Sequence, residues 1–351
     1  MPVVEYDLHD QIEAKAMFAK IITAALAVAV LSLCASAQGF SVLWTKQDAD
    51  PYTHIAFSHS GTILALGRAD SNTSDLLNAS DGTLIRSFSG QHNGTNDVVF
   101  SLDDQYLLNG CGSGGSTITL SLWSVATGTR LIGRLGDHTN GTYSVVMSPD
   151  GQFIATSGRF DRDINIWHIP DMSMVLNIPN DDPHSPGLPP RVKDVAWSPA
   201  GDKVASSDIY GLKVRRPADG TVIYFVDAGE SPSIAFSPDG KFLAAAIPGD
   251  RTIRVWSAAD GKPVRTIAVG TTFDFPELTF SPDSRFIVVG YNKGDGSGAL
   301  AFYKTSDGTR SLYQDRSGAI ISLAFSQKGD RLAFTQFDGQ IVMAKLLMLR
   351  T

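Results

Sequence analysis

The chain has 351 residues, 43% of them hydrophobic, enough to pack the core of one large domain or two smaller ones. Its 29 Lys and Arg stand against 36 Asp and Glu, a net charge of -7. No basic surplus exists to neutralise a phosphate backbone, so nucleic acid is excluded as an expected partner.

The first segment in chain order stands outside the fold. Residues 17–38, MFAKIITAALAVAVLSLCASAQ, combine a lysine, an apolar run and Ala35-Ser36-Ala37, the small-x-small pattern of a signal-peptidase site. Residues 1–37 therefore read as a signal peptide, and export to the periplasm or the extracellular space is expected, with no stable membrane insertion after cleavage. Glu5, Asp7, Asp10 and Glu13 suit a signal n-region poorly, which makes Met17 an alternative start. An uncleaved membrane anchor is the bland alternative, since the run is only marginally long enough to span a bilayer. Leu31-Ser32-Leu33-Cys34 resembles a lipoprotein box, but Leu33 is too large for the residue before the cysteine. Cleavage removes Cys34 and leaves Cys111 alone, so no intramolecular disulfide is expected.

From residue 38 to 351 one phrase recurs seven times: HIAFSHSG, DVVFSLDD, SVVMSPDG, DVAWSPAG, SIAFSPDG, ELTFSPDS and SLAFSQKG. Its serines are Ser58, Ser101, Ser148, Ser198, Ser237, Ser281 and Ser326, spaced 39–50 residues apart. Periods near these lengths mark propeller blades. Each unit reads as a short apolar strand, a Pro-Asp-Gly-type turn, and three further strands separated by polar loops, as in KFLAAA, TIRVW and PVRTIAV of the fifth. Asp and Gly recur in the turns because Asp bonds its own backbone and Gly accepts positive φ at no steric cost. The seventh unit offers only three strands, whereas FSVLWTK at 40–46 reads like the fourth strands of the others. Pairing it with residues 340–347 would close an all-β ring of seven four-stranded blades and remove its open edges.

On these residues the chain resembles the WD-repeat family of β-propellers, over essentially all of 40–351. The family's dipeptide is absent: third strands end LWSV, IWHI and VWSA, with Leu77, Arg215, Tyr303 and Ala344 at the Trp position elsewhere. The third unit comes closest, with Gly136-Asp137-His138 ahead of its first strand and Asp161 six residues before Trp167. The resemblance implies a buried, blade-stiffening tetrad of His138, Ser157, Asp161 and Trp167, with Thr156 as the alternative hydroxyl. Asp250 and Trp256 repeat the Asp-to-Trp spacing without the His.

Function is expected on the face that gathers the fourth-to-first and second-to-third loops, because long loops on rigid scaffolds are common sites of function. The stretch 177–191 stands out there, since five prolines in fifteen residues can neither extend a strand nor pack a core. Its Asp181, Asp182, His184 and Arg191 form the candidate partner surface. Asp97, Asp194 and Glu277 hold one position before the first strand of three blades, where the others carry His54, Ser144, Ser233 and Ser322. If those carboxylates converged, a cation-dependent, lactonase-like hydrolase would be the alternative. Cys111 has no His nearby in sequence, and no residue set pairs a nucleophile with a base. The sequons at Asn72, Asn78, Asn93 and Asn140 matter only in a glycosylating host. The expectation is an exported, monomeric, non-enzymatic scaffold for a protein or peptide partner, with no cofactor.

Overall fold

The repeated phrase builds the same corner in every unit. Each of its seven serines is buried, and each hydroxyl accepts the backbone N–H five residues on, from Ile63, Tyr106, Phe153, Lys203, Phe242, Phe286 and Arg331, at 2.9–3.1 Å. In six units the same hydroxyl donates to an aspartate of the turn, Asp103, Asp150, Asp202, Asp239, Asp283 or Asp330. Where the phrase ends in glycine, that residue takes φ between 71° and 75°; where it does not, Asp104 and Ser284 are held at 58° and 60°. A small hydroxyl followed by Asp and Gly is thus what a buried, fully bonded reversal of two strands requires.

The computed structural model describes residues 39–347 apart from 69–72, 91–93, 113–117, 136–137, 139–140, 159–162, 181–190 and 271–272. The segment read as a signal peptide, Asp161, and Asp181, Asp182 and His184 of the partner loop lie outside the described residues. No helix among those described is long and apolar enough to cross a membrane.

The strands form seven four-stranded antiparallel sheets. Blades 1 to 6 run over residues 52–89, 95–135, 142–179, 194–227, 233–268 and 274–316; blade 7 combines 320–346 with 40–47. Neighbouring first strands touch in a closed circuit, and the first strand of blade 7 meets that of blade 1, so first strands line the channel. The expected closure is present: Phe40–Gln47 pairs antiparallel with the last strand, from Phe40 opposite Leu346 to Gln47 opposite Gln340. Phe40 is fully buried, and Trp44 donates its Nε1–H to the Ala79 carbonyl of blade 1 at 3.2 Å. The core is distributed between blades. Trp123, Trp167 and Trp256, each near the end of a third strand, pack against the preceding blade.

Bulges interrupt five of the seven first strands at one place, between Tyr52 and His54, Thr95 and Asp97, Thr142 and Ser144, Asp274 and Glu277, and Ile320 and Ser322. A bulge turns its extra residue out of the ladder. Here those residues are Thr53, Asn96, Tyr143, Phe275 with Pro276, and Ile321, and all of them line one cavity at the channel mouth.

Candidate functional site at the channel mouth

At the strand position that follows the bulge, or stands level with it where there is none, four residues bond the next blade's first strand. Asp97 Oδ2 accepts the Val145 N–H of blade 3 at 2.6 Å, and Asp194 Oδ2 accepts the Ile234 N–H of blade 5 at 2.9 Å. Ser233 Oγ accepts the Leu278 N–H of blade 6, and Ser322 Oγ that of Ile55 in blade 1, at 2.9 and 3.2 Å. Serine and aspartate recur at this position because either oxygen can bond the next blade's first strand; Asp97, Asp194, Ser233 and Ser322 accept its N–H, and Ser144 donates to Asp194. The position that sequence reading treated as strand-end polarity is an inter-blade staple.

Asp97, Asp194 and Glu277 do line one cavity, of about 300 Å³, together with His54, Ser144 and Lys193. The cation site considered from sequence is nevertheless not formed: among the described residues no three His, Cys, Asp or Glu side chains are placed to hold a metal ion. The physical reason lies in prior commitments. Besides its N–H bond, Asp97 pairs with His54 at 2.9 Å, and Asp194 also accepts Ser144 Oγ–H at 3.0 Å and its neighbour Val195 N–H at 2.8 Å.

Crowding these acids has electrostatic consequences. Burial pushes Glu277 up to about 8; His54 pulls it down, and Asp194 and Asp97 add to the rise. Asp194 rises to about 7, again chiefly by burial, against its bonds to Ile234 N–H and Ser144. Burial alone would lower His54, but the charges of Asp97, Glu277 and Asp194 outweigh it and lift the ring to about 9.

Antiparallel geometry places second-to-third and fourth-to-first loops on this same face. It carries Tyr210 and Phe337 in second-to-third loops, and Tyr143 and Phe275 at the bulges, all four exposed. Phe275 is 80% exposed and held at φ 46°. Arg191 is exposed at the end of the partner stretch, two residues from Lys193 on the cavity wall, whose Nζ pairs with Glu230 at 3.1 Å.

The tetrad expected in blade 3 needs one correction. Thr156, not Ser157, is its hydroxyl: Thr156 Oγ1 accepts Trp167 Nε1–H at 2.9 Å and lies 2.8 Å from His138 Nε2. Successive strand residues face opposite sides, so Ser157 points away and accepts the Ser144 N–H at 3.2 Å. Asn165 joins instead, its Nδ2 3.4 Å from His138 Nε2. Asp250, aligned with Asp161, is exposed and binds the Thr252 hydroxyl and Arg254. Cys111 is buried, and burial pushes its thiol up to about 12, far from a reactive thiolate.

Blade 4 rebuilds this network with charge, which sequence reading missed. Arg215 stands in the Trp167 position and donates to Ser206 Oγ at 2.8 Å, as Trp167 does to Thr156, and to Asn180 Oδ1 at 3.0 Å. Lys213, in the Asn165 position, donates to Asn180 Oδ1 and pairs with buried Asp208 at 3.2 Å. The signal was visible in Arg215 at a Trp position.

Seven four-stranded blades, first-strand staples and a His–Thr–Trp network define a seven-bladed β-propeller with a cavity at its channel mouth. Residues 129–168 and 230–257 match the family described as WD domain, G-beta repeat. The chain is 29% identical over 150 residues to an uncharacterized WD repeat-containing protein of Synechocystis, covering 41% of this chain and 39% of that protein. It is 29% identical over 145 residues to WD repeat-containing protein SL1-17 of Schistosoma mansoni, covering 41% of this chain and 45% of the relative. A 26% identical stretch of 161 residues in Protein HIR1 of Kluyveromyces lactis covers 42% of this chain and 15% of that protein. The matches thus span less than half of each relative. The chain is a seven-bladed β-propeller in which two stretches match the WD repeat and which is similar to WD repeat-containing proteins. Propellers of this kind generally act as protein-interaction scaffolds.

Proposed function

We propose that this is an exported, non-enzymatic scaffold that holds a protein or peptide partner on the face where the channel opens. One observation carries the reading: four exposed aromatic residues, Tyr143, Tyr210, Phe275 and Phe337, share a face with a cavity walled by Asp97, Asp194 and Glu277. Exposed aromatic side chains anchor interfaces, and a polar recess beside them gives a partner side chain hydrogen-bonding groups to meet. Export is supported by the apolar run and Ala35-Ser36-Ala37 in the sequence.

The test is affinity capture by the mature chain from the compartment outside the cytoplasm, followed by titration of the recovered partner. Phe275→Ala with Tyr143→Ala, both at exposed positions, should weaken binding at least tenfold, about 1.4 kcal/mol, at unchanged melting temperature. A partner held at full affinity by the double variant overturns the choice of face.

A further inference from the structure

Each blade ends in a fourth strand whose outer edge is covered by no other strand among the described residues. Such an edge turns a row of backbone N–H and C=O groups to solvent, a template for pairing with another chain unless charge or proline blocks it. Six of the seven fourth strands carry that protection: Arg86, Arg130, Pro179, Pro263, Arg310 and Lys46 stand in those of blades 1, 2, 3, 5, 6 and 7. The fourth strand of blade 4, Val222–Asp227, reads VIYFVD. It holds no lysine, arginine or proline, and its one charge is the last residue.

The side chains of this strand part in two directions. Tyr224 and Val226 turn into the seam with blade 5, where the Tyr224 hydroxyl donates to the Ala258 carbonyl at 3.1 Å and Val226 is buried. Phe225, between them, faces the other way. It is 46% exposed, beside Val222 and Ile223 at 50% and 42%. At the place of Phe225, fixed by pairing with the third strand, blades 1, 2, 3, 5 and 7 carry Ser87, Gly133, Asn177, Thr266 and Thr45. Blade 6 has Tyr313 there, but Arg310 lies over its ring at 4.8 Å and its hydroxyl donates to Asp315. Among the described residues of the fourth strands, Phe225 is the one exposed ring.

The size and charge of the edge select what fits it. Six residues make a row about 20 Å long, and a sheet about 10 Å thick gives it a contact area of about 200 Å². A standard interface between folded proteins buries roughly 800 Å² on each partner, so this edge alone does not hold a second folded body. An extended segment needs no wider surface, because its main chain supplies the bonds and alternate side chains the specificity. Nothing in the row before Asp227 can pair with a charged side chain, so the segment is uncharged over the paired length. An apolar residue beside Phe225 gains from cross-strand contact.

We infer that the outer edge of blade 4 docks an extended, uncharged, apolar segment of a partner polypeptide, which adds a fifth strand to the blade. No residue of Val222–Asp227 lines the channel-mouth cavity, so the inference stands apart from the reading of that face.

The probe is a synthetic peptide of three Thr-Val pairs, carrying two lysines, a glycine spacer and a fluorophore at its N-terminus. Its binding to the mature chain is followed by fluorescence anisotropy. Its counterpart N-methylated at all six Thr and Val residues keeps the side chains but has no backbone donor, and should bind at least tenfold more weakly. Phe225→Lys should weaken the parent peptide at least tenfold at unchanged melting temperature. Val222→Lys, also at an exposed position, should do the same and carries the test if Phe225→Lys fails to fold. Thr266→Lys, the same change at the matching place in blade 5, should leave the affinity unchanged. The inference falls if the peptide does not bind at millimolar concentration, if the N-methylated peptide binds as tightly, if neither lysine in blade 4 weakens binding, or if Thr266→Lys weakens it as much.

Discussion

Replacing Glu277 with Gln should flatten the dependence of stability on pH between 5 and 8. In the folded chain burial holds this carboxyl up at about 8, against an ordinary value of 4.5 in the unfolded chain. Between those values the folded state keeps a proton that the unfolded state has released. Stability therefore falls as pH rises, by up to about 1.4 kcal/mol per pH unit for one such group, beginning above 4.5 and levelling off above 8. Asp194, raised to about 7, acts in the same direction over its lower window. His54, raised from 6.5 to about 9, stabilises fully below 6.5 and loses that contribution as pH climbs toward 9. Its side chain is 28% exposed, so water reaching the mouth screens part of the cluster. The share assigned to Glu277 is on the order of 2 kcal/mol across pH 5–8. Urea denaturation at half-unit steps from pH 5 to 9 gives the slope directly. A parent whose stability is flat or rises over this range, or a Glu277→Gln variant that loses stability as steeply as the parent, would refute the electrostatic argument.

Two further outcomes follow from the scaffold. Thr156→Val should cost roughly 1–3 kcal/mol in equilibrium denaturation by leaving Trp167 Nε1–H and His138 without their shared partner. Combined with His138→Ala it should cost less than the two single losses together, and strict additivity would show that the pair do not act through one network. Deleting residues 40–47 should leave the last strand with an open edge, read as aggregation on size exclusion; a truncated chain that stays monomeric and melts with the parent contradicts the closure.

The blade count and the ring closure were legible because they rest on local chemistry. A buried Ser hydroxyl, an Asp and a positive-φ Gly must lie within a few residues of one another to reverse two strands, so the phrase marks every corner in the sequence itself. The missing strand of blade 7 was visible for the same reason, since Phe40–Gln47 carries the pattern of a fourth strand wherever it sits in the chain. Choosing between Thr156 and Ser157 required the register, because adjacent residues face opposite sides and a shift of one exchanges them. The bulges that present Tyr143 and Phe275 leave no local signature, as they depend on how the first strand pairs with the second. Asp97, Asp194 and Glu277 were singled out by position, but their separate commitments, to His54, to backbone N–H groups of the next blade and to one another's charge, join residues 40–180 positions apart. Hydrogen bonding within a turn is fixed by neighbours along the chain, whereas burial and Coulomb interaction act through space, and only the closed ring sets those distances.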